Sequence, residues 1–184
     1  MVELLQRVTA LPVIQVSDRL RIEPDHVYVI PPNKDMSLLH GILHLLDPLE
    51  PRGLRLPIDF FFRSLADDLQ QQSIGVIISG MGSDGSLGLR AIKSKGVGIF
   101  VQDPSSAKFD GMPRSAINAC PIDVTVSAEE LPAKILAYLR HVHSVVKQDI
   151  SQEEKALSGL EKAGAGREKT WKKFPSAAFQ PRRF

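Results

Sequence analysis

The segment Gly80-Met81-Gly82-Ser83-Asp84-Gly85 sets one carboxylate among three glycines, between the apolar run 74–78 and the amphipathic stretch 86–95. Three chemistries fit that pattern. Spelled G-x-G-x-x-G between a strand and a helix, it matches a pyrophosphate-binding loop, and Asp103 ends the next apolar run where such folds hold a ribose. Two residues oppose this reading. A carboxylate at Asp84 would sit at the helix N-terminus that has to receive the phosphates, and Pro104 constrains the turn after Asp103. Alternatively, Asp84 caps the helix that starts near Ser86. In the third reading the glycines bring backbone close to a substrate and aim the Met81 N–H into a cleft at the carboxyl end of the strand, with Asp84 as a chemical partner.

Other reactive side chains are sparse. No serine lies in a G-x-S-x-G elbow, and Ser79, Ser83 and Ser86 read as turn and capping residues. His26, His40 and His44 read as ordinary surface or core histidines, while His141 and His143 suit the end of a last helix. The single cysteine, Cys120, excludes an internal disulfide and a CxxC zinc site and reads as a small buried hydrophobe. No metal or other cofactor is expected.

These residues need a scaffold, and the apolar pattern outlines it. Residues 2–11 read as the end of an amphipathic helix stopped by Pro12, and 13–16 as a short strand. Strands follow at 20–22 and 27–30, and Gly41 splits 36–46 into a hairpin. Residues 58–71 carry Phe61, Phe62, Leu65 and Leu69 at helical spacing behind Pro57, with Asp59 in the first turn. The run 74–78 fits a strand buried on both faces of a parallel sheet, 86–95 a helix closed by Gly96, and 97–101 the next strand. A loop over 104–110, a short helix over 113–118 and a strand over 124–126 complete the pattern. Ser127 and Glu130 form a capping box for a helix reaching about Val146, although Pro132 favours a later start. This succession predicts an α/β fold with helices covering a mostly parallel sheet.

At 184 residues and 43% hydrophobic content, the chain supports one compact domain. Its net charge of +2 is uneven: from Lys162 onward seven Lys or Arg stand against Glu168 alone, a net of +6, so residues 1–161 carry −4. The basic tail carries Trp171, Phe174, Phe179 and Phe184 without a helical stripe, and it reads as a solvated terminus rather than a nucleic-acid surface. With no apolar run of membrane-spanning length and no signal-peptide order at the N-terminus, membrane insertion is not expected and a cytoplasmic location is. The expected division is a domain at 1–147 and a basic linker or tail at 148–184.

Four separated motifs carry a family resemblance. They are Pro24-Asp25-His26-Val27-Tyr28-Val29-Ile30-Pro31-Pro32-Asn33-Lys34, Pro57-Ile58-Asp59, the Gly80–Gly85 loop, and Phe109-Asp110-Gly111-Met112-Pro113-Arg114-Ser115-Ala116-Ile117. From about Glu3 to Leu139 the chain resembles the catalytic domain of CheB-type chemotaxis methylesterases. The resemblance implies a doubly wound, three-layer α/β domain with helices on both faces of a mostly parallel sheet, which hydrolyses glutamate methyl esters, and in many members deamidates glutamines, on the cytoplasmic helices of methyl-accepting chemoreceptors. It makes Asp84 the acid of a Ser-His-Asp triad and the Met81 backbone N–H an oxyanion donor. Gly80, Gly82, Gly111, Met112, Pro113 and Arg114 become the substrate-facing residues.

In that family the serine lies in a Gly-rich turn after the first strand and the histidine ends the second strand, both ahead of the segment that resembles Glu3 onward. The expectation is therefore a chain lacking the first strand or strands, the nucleophile and the base, and inactive alone. A non-catalytic domain that binds receptor or signalling partners is the alternative. Because some relatives join the esterase domain to a receptor methyltransferase, the tail after Ser151 is read as a linker, the start of such a joint, or a truncated end.

Overall fold

The computed structural model describes residues 1–50 and 54–142. The basic tail, the expected 147/148 boundary, His143 and the C-terminal end of the last helix lie outside the described residues. Chain contacts divide the protein into one unit spanning Met1–Leu136 and a second spanning Ala137–Phe184. Among the described residues no helix is long and apolar enough to cross a membrane.

The first unit is a mixed α/β fold. Helix α1 (Val2–Gln6) precedes β1 (Val13–Gln15), β2 (Leu20–Arg21) and β3 (Val27–Val29), and the hairpin β4 (Asp35–Leu39) and β5 (Ile42–Leu46) leads into α2 (Pro57–Leu69). Strand β6 (Gly75–Ile77), α3 (Ser86–Ser94), β7 (Ile99–Gln102), α4 (Gly111–Ala119) and β8 (Val124–Val126) follow. β1 and β3 pair in parallel, with Val13 opposite Val27. β2, β5 and β4 form an antiparallel sheet in that order. β6, β7 and β8 form a parallel sheet, with Val76 opposite Phe100 and Phe100 opposite Val124. The expected α/β class with parallel strands and covering helices is what the chain adopts.

Two apolar cores result, and α2 touches both. One gathers Ile77, Leu89, Ile92, Ile99, Val101 and Ala116, and the other Val16, Met36, Leu38 and Leu43. Leu65 packs against both clusters, Ile58 and Phe62 against the first, and Phe61 and Leu69 against the second. The helical spacing of these residues thus serves two faces of one helix. Polar ties add to this: the Ser64 hydroxyl accepts from the Leu38 N–H at 3.0 Å, and the Asp68 carboxylate accepts from the N–H groups of His40 and Gly41. His40 (φ +52°) and Gly41 (φ +71°) are the left-handed pair that reverses the hairpin.

Several elements depart from the sequence reading. The first helix ends at Gln6 rather than near Leu11, because the Gln6 amide turns onto the backbone, donating to the Thr9 and Leu11 carbonyls and accepting from the Val13 N–H. Strand β6 is not buried on both faces: Gly75 and Ile77 are buried while Val76 (37%) and Ile78 (54%) are exposed. It is an edge strand, and β7 is the one buried throughout.

The loop after β7 contains a 3₁₀ turn at Pro104–Ser106, and α4 starts at Gly111, two residues early. The capping box is half-formed, with the Ser127 hydroxyl and N–H both on the Glu130 carboxylate, and helical backbone runs over 131–142 after a turn. Gly96 (φ +77°) lies one position beyond the Lys95 cap and donates its N–H to the Lys93 carbonyl.

Cys120 is half-buried against the first core, and desolvation raises its thiol pKa against the lowering influence of Lys93 and Arg90. Its alkylation at pH 8 is expected to be slower than that of an exposed thiol and to recover in urea; equal rates folded and unfolded contradict this. Leu89 is fully buried, so Leu89→Ala should cost about 3 kcal/mol in urea unfolding followed by circular dichroism.

Candidate functional site

The glycine loop leaves β6 and turns into α3, and Asp84 is held by a different helix from the one it precedes. Asp84 Oδ1 accepts from the Asp59 N–H at 2.9 Å and Oδ2 from the Ile58 N–H at 3.0 Å. The reading of Asp84 as a cap on the helix near Ser86 is thereby corrected: Gly85 is the N-cap of α3 and offers no side chain, while Asp84 caps α2 across the fold. The reason lies at the start of α2. Its N-cap, Leu56, has no capping oxygen, and Pro57 has no N–H, so Ile58 and Asp59 are left with unpaired N–H groups, and the next, Phe60, already bonds the Leu56 carbonyl. A carboxylate has the two oxygens that these two donors require, and its charge suits the positive end of the helix.

Gly85 makes that reach possible. It has φ +91°, and a Cβ there would lie 2.9 Å from Ile58 Cγ2 and 3.0 Å from Ile77 Cδ1. Only a residue without a side chain lets the loop drop onto α2 and β6 together.

The other loop glycines face α4. The Gly80 N–H donates to the Phe109 carbonyl and the Gly80 carbonyl accepts from the Met112 N–H, both at 2.9 Å. Met112 packs so closely that a Cβ on Gly80 would lie 2.2 Å from its sulfur. A Cβ on Gly111 would meet the Gly82 nitrogen at 3.2 Å, and the Ser115 hydroxyl donates to the Gly82 carbonyl at 3.2 Å. Ser79 joins the same junction: its hydroxyl accepts from the Phe109 N–H, and its own N–H donates to Gln102 Oε1 at 2.8 Å. Gln102 is buried at the end of β7, so the loop is anchored from below as well.

The eight residues singled out from sequence therefore occupy distinct settings. Asp84 is half-buried and points onto α2, along one wall of a cleft of about 690 Å³ that also takes in Ile30, Asn33, Met36, Arg55 and Phe61. Met81 crowns the loop at 77% exposure. Gly80, Gly82, Gly111 and Met112 form the loop–helix junction, and Pro113 is fully buried beneath it. Arg114 reaches solvent, where its Nε donates to Asp110 Oδ2 at 2.6 Å and holds that carboxyl below the usual carboxylate range.

Asp103, the residue that would meet a ribose, is committed to its own turn. One of its oxygens accepts from both the N–H and the hydroxyl of Ser105, and these bonds lower its pKa. Asp103 is therefore not free to meet a ribose, and at the head of α3 the Gly88 N–H is taken by Asp59, which leaves the dinucleotide reading without its acid and with one loop-helix donor already used.

His26 bonds the Pro24 carbonyl and stacks on Tyr28, His40 forms the hairpin turn, and His44 pairs with Ser37 in the β4–β5 ladder. Among the described residues no cluster of His, Cys, Asp or Glu has the arrangement to hold a metal ion. The first-turn acid of α2 does more than serve the dipole of its own helix. Asp59 is 3% exposed, and its Oδ1 accepts from the Gly88 N–H at 2.6 Å. Its helix-opening position was legible in Pro57-Ile58-Asp59, but its partner lies 29 residues later and no local pattern announces it.

The sequence and the fold have counterparts among known proteins. A family model described as CheB methylesterase matches residues 1–135. An uncharacterised 104.1 kDa protein of Rhodobacter capsulatus is 42% identical over 139 residues, covering 76% of this chain and 14% of that protein. The protein-glutamate methylesterase/protein-glutamine glutaminase 1 of Burkholderia pseudomallei (strain 1710b) is 34% identical over 123 residues, 65% of this chain and 34% of its own. The matched region thus spans about a third or less of these curated relatives. The crystal structure of the Thermotoga maritima CheB methylesterase catalytic domain superposes with a TM-score of 0.66 at 26% identity, covering 74% of both chains. With a family model matched over residues 1–135 and a fold shared with a solved catalytic domain, the chain belongs to the CheB methylesterase family.

Proposed function

We propose that this chain supplies the aspartate-bearing part of a protein-glutamate methylesterase acting in chemotaxis adaptation on the cytoplasmic helices of methyl-accepting receptors. The observation that carries the reading is the fixed carboxylate of Asp84, gripped by two backbone N–H groups at the head of α2 and lining an open cleft. Each carboxylate oxygen has a second lone pair, so an imidazole N–H can still be accepted at the cleft wall.

The chemistry is acyl transfer. A serine oxygen adds to the ester carbonyl as a histidine takes its proton; methanol leaves with that proton, and water then hydrolyses the acyl-enzyme by the same relay. Asp84 orients the histidine and stabilises its cation, and a carboxylate anchored at two points holds one geometry through the cycle. Met81, exposed at the crest of the loop, offers its backbone N–H to the developing oxyanion, and the Gly80–Met112 and Gly82–Ser115 contacts hold that crest still. Gly111, Met112 and Pro113 support the floor, and Arg114 faces the solvent from which an acidic receptor helix would approach. The serine and histidine belong to the segment that the family resemblance places ahead of Glu3.

Two outcomes follow. The 184-residue chain alone should release no methanol from a methyl-esterified glutamate peptide above the uncatalysed rate; release by this chain would contradict the assignment of nucleophile and base to another segment. In a gene product that carries both, Asp84→Asn should lower kcat by about four orders of magnitude, the loss typical when a triad acid becomes an amide. A loss below about tenfold would remove Asp84 from the relay.

A further inference from the structure

Asp84 and Asp59 are exchanged between two helices. Asp84, one residue ahead of the α3 cap, closes the N–H groups of Ile58 and Asp59 on α2; Asp59, in the first turn of α2, closes the N–H of Gly88 in the first turn of α3. We propose that Asp59 is the positioning residue for Asp84: by clasping the head of α3 it sets the α2–α3 spacing at which the Asp84 carboxylate meets both of its donors. The inference rests on the reading of Asp84 as the relay acid.

Three observations support it. Asp59 is 3% exposed and its short side chain ends 2.6 Å from the Gly88 nitrogen, so it has no room to follow α3 if the helices part. Gly88 shows how near they lie, since a Cβ there would stand 2.5 Å from Phe62 Cβ and 3.1 Å from the Asp59 Cα and carbonyl oxygen. The two clasps also share one backbone unit: the Asp59 N–H is the donor to Asp84, and the Asp59 side chain is the acceptor from Gly88. A shift that breaks one moves an atom that belongs to the other.

Clasps that share a frame are coupled, and coupling is reciprocal. The test is amide hydrogen exchange on the 184-residue chain, comparing the unmodified protein with Asp59→Asn, Asp84→Asn and the double variant; asparagine keeps the shape and one acceptor oxygen. Exchange at Ile58 and residue 59 should rise roughly threefold or more in Asp59→Asn, and exchange at Gly88 by a similar factor in Asp84→Asn, as expected for a weakened hydrogen bond. The buried amides of Phe100 and Val101 should move less, which separates a local effect from global destabilisation.

In the double variant the effects should be less than multiplicative. Independent effects, with each asparagine loosening only the amide it faces, would overturn the proposal. If an asparagine variant does not fold, Gly88→Ala carries the test: it leaves both carboxylates in place but forces the helices apart. Faster exchange at Ile58 and Asp59 than at Phe100 and Val101 supports the clasp, and an even rise across all four overturns it. Because exchange reads spacing without ester or nucleophile, its outcome stands apart from that of the kcat measurement on Asp84→Asn.

Discussion

The structure turns on a shortage of hydrogen-bond acceptors at the head of α2. A helix that opens with Leu56 and Pro57 cannot cap itself, and two N–H groups left unpaired in a half-buried setting would cost about 1–3 kcal/mol each. Asp84 meets that need, and in doing so ties a loop after β6 to Ile58, 26 residues earlier in the chain. The carboxylate proposed above to orient a histidine is thus also a structural cap. Its oxygens cannot wander, because each is a hydrogen-bond acceptor for the fold.

The charge balance around this tie is unusual for its crowding. Two carboxylates, Asp59 and Asp84, stand within the first turns of two helices, and each helix presents a partial positive charge of about half an elementary unit at that end. The two helix heads together offset about half of the charge of the two acids, and the Asp59 carboxylate is buried against the Gly88 N–H. Anchoring by backbone donors has a further merit for a relay acid. A lysine or arginine partner would compete with an imidazolium for the same carboxylate, whereas N–H groups of a helix hold position without adding a mobile charge.

Much of the fold was legible in the sequence, and the reasons are local. Phe61, Phe62, Leu65 and Leu69 announced α2, Gly41 announced the hairpin, and the apolar runs around the glycine loop announced a parallel unit. What escaped was non-local. The apolar run of β6 looks like a fully buried strand, yet burial on its second face depends on what lies beyond the sheet edge, and Val76 and Ile78 are open. Asp84 looks like a cap for its own helix, but the tighter need was elsewhere. Asp59 looked like a first-turn acid serving the dipole of its own helix, and only the approach of Gly88 to Asp59 reveals its second task.

The reach of α2 also bears on how distant parts of the chain are tied together. Its ties run from Ser64 to Leu38, from Asp68 to Gly41, from Asp84 back to Ile58 and from Asp59 on to Gly88, all across 25 to 30 residues of sequence. None joins near neighbours in the chain, and the tie to Asp84 needs the first turn of α2, which brings its two donors together. The hairpin on one side and the glycine loop on the other are thus fastened to the same helix. The glycine loop and the hairpin share one support, so a substitution that displaces α2 would disturb both at once, however far apart they lie in the chain.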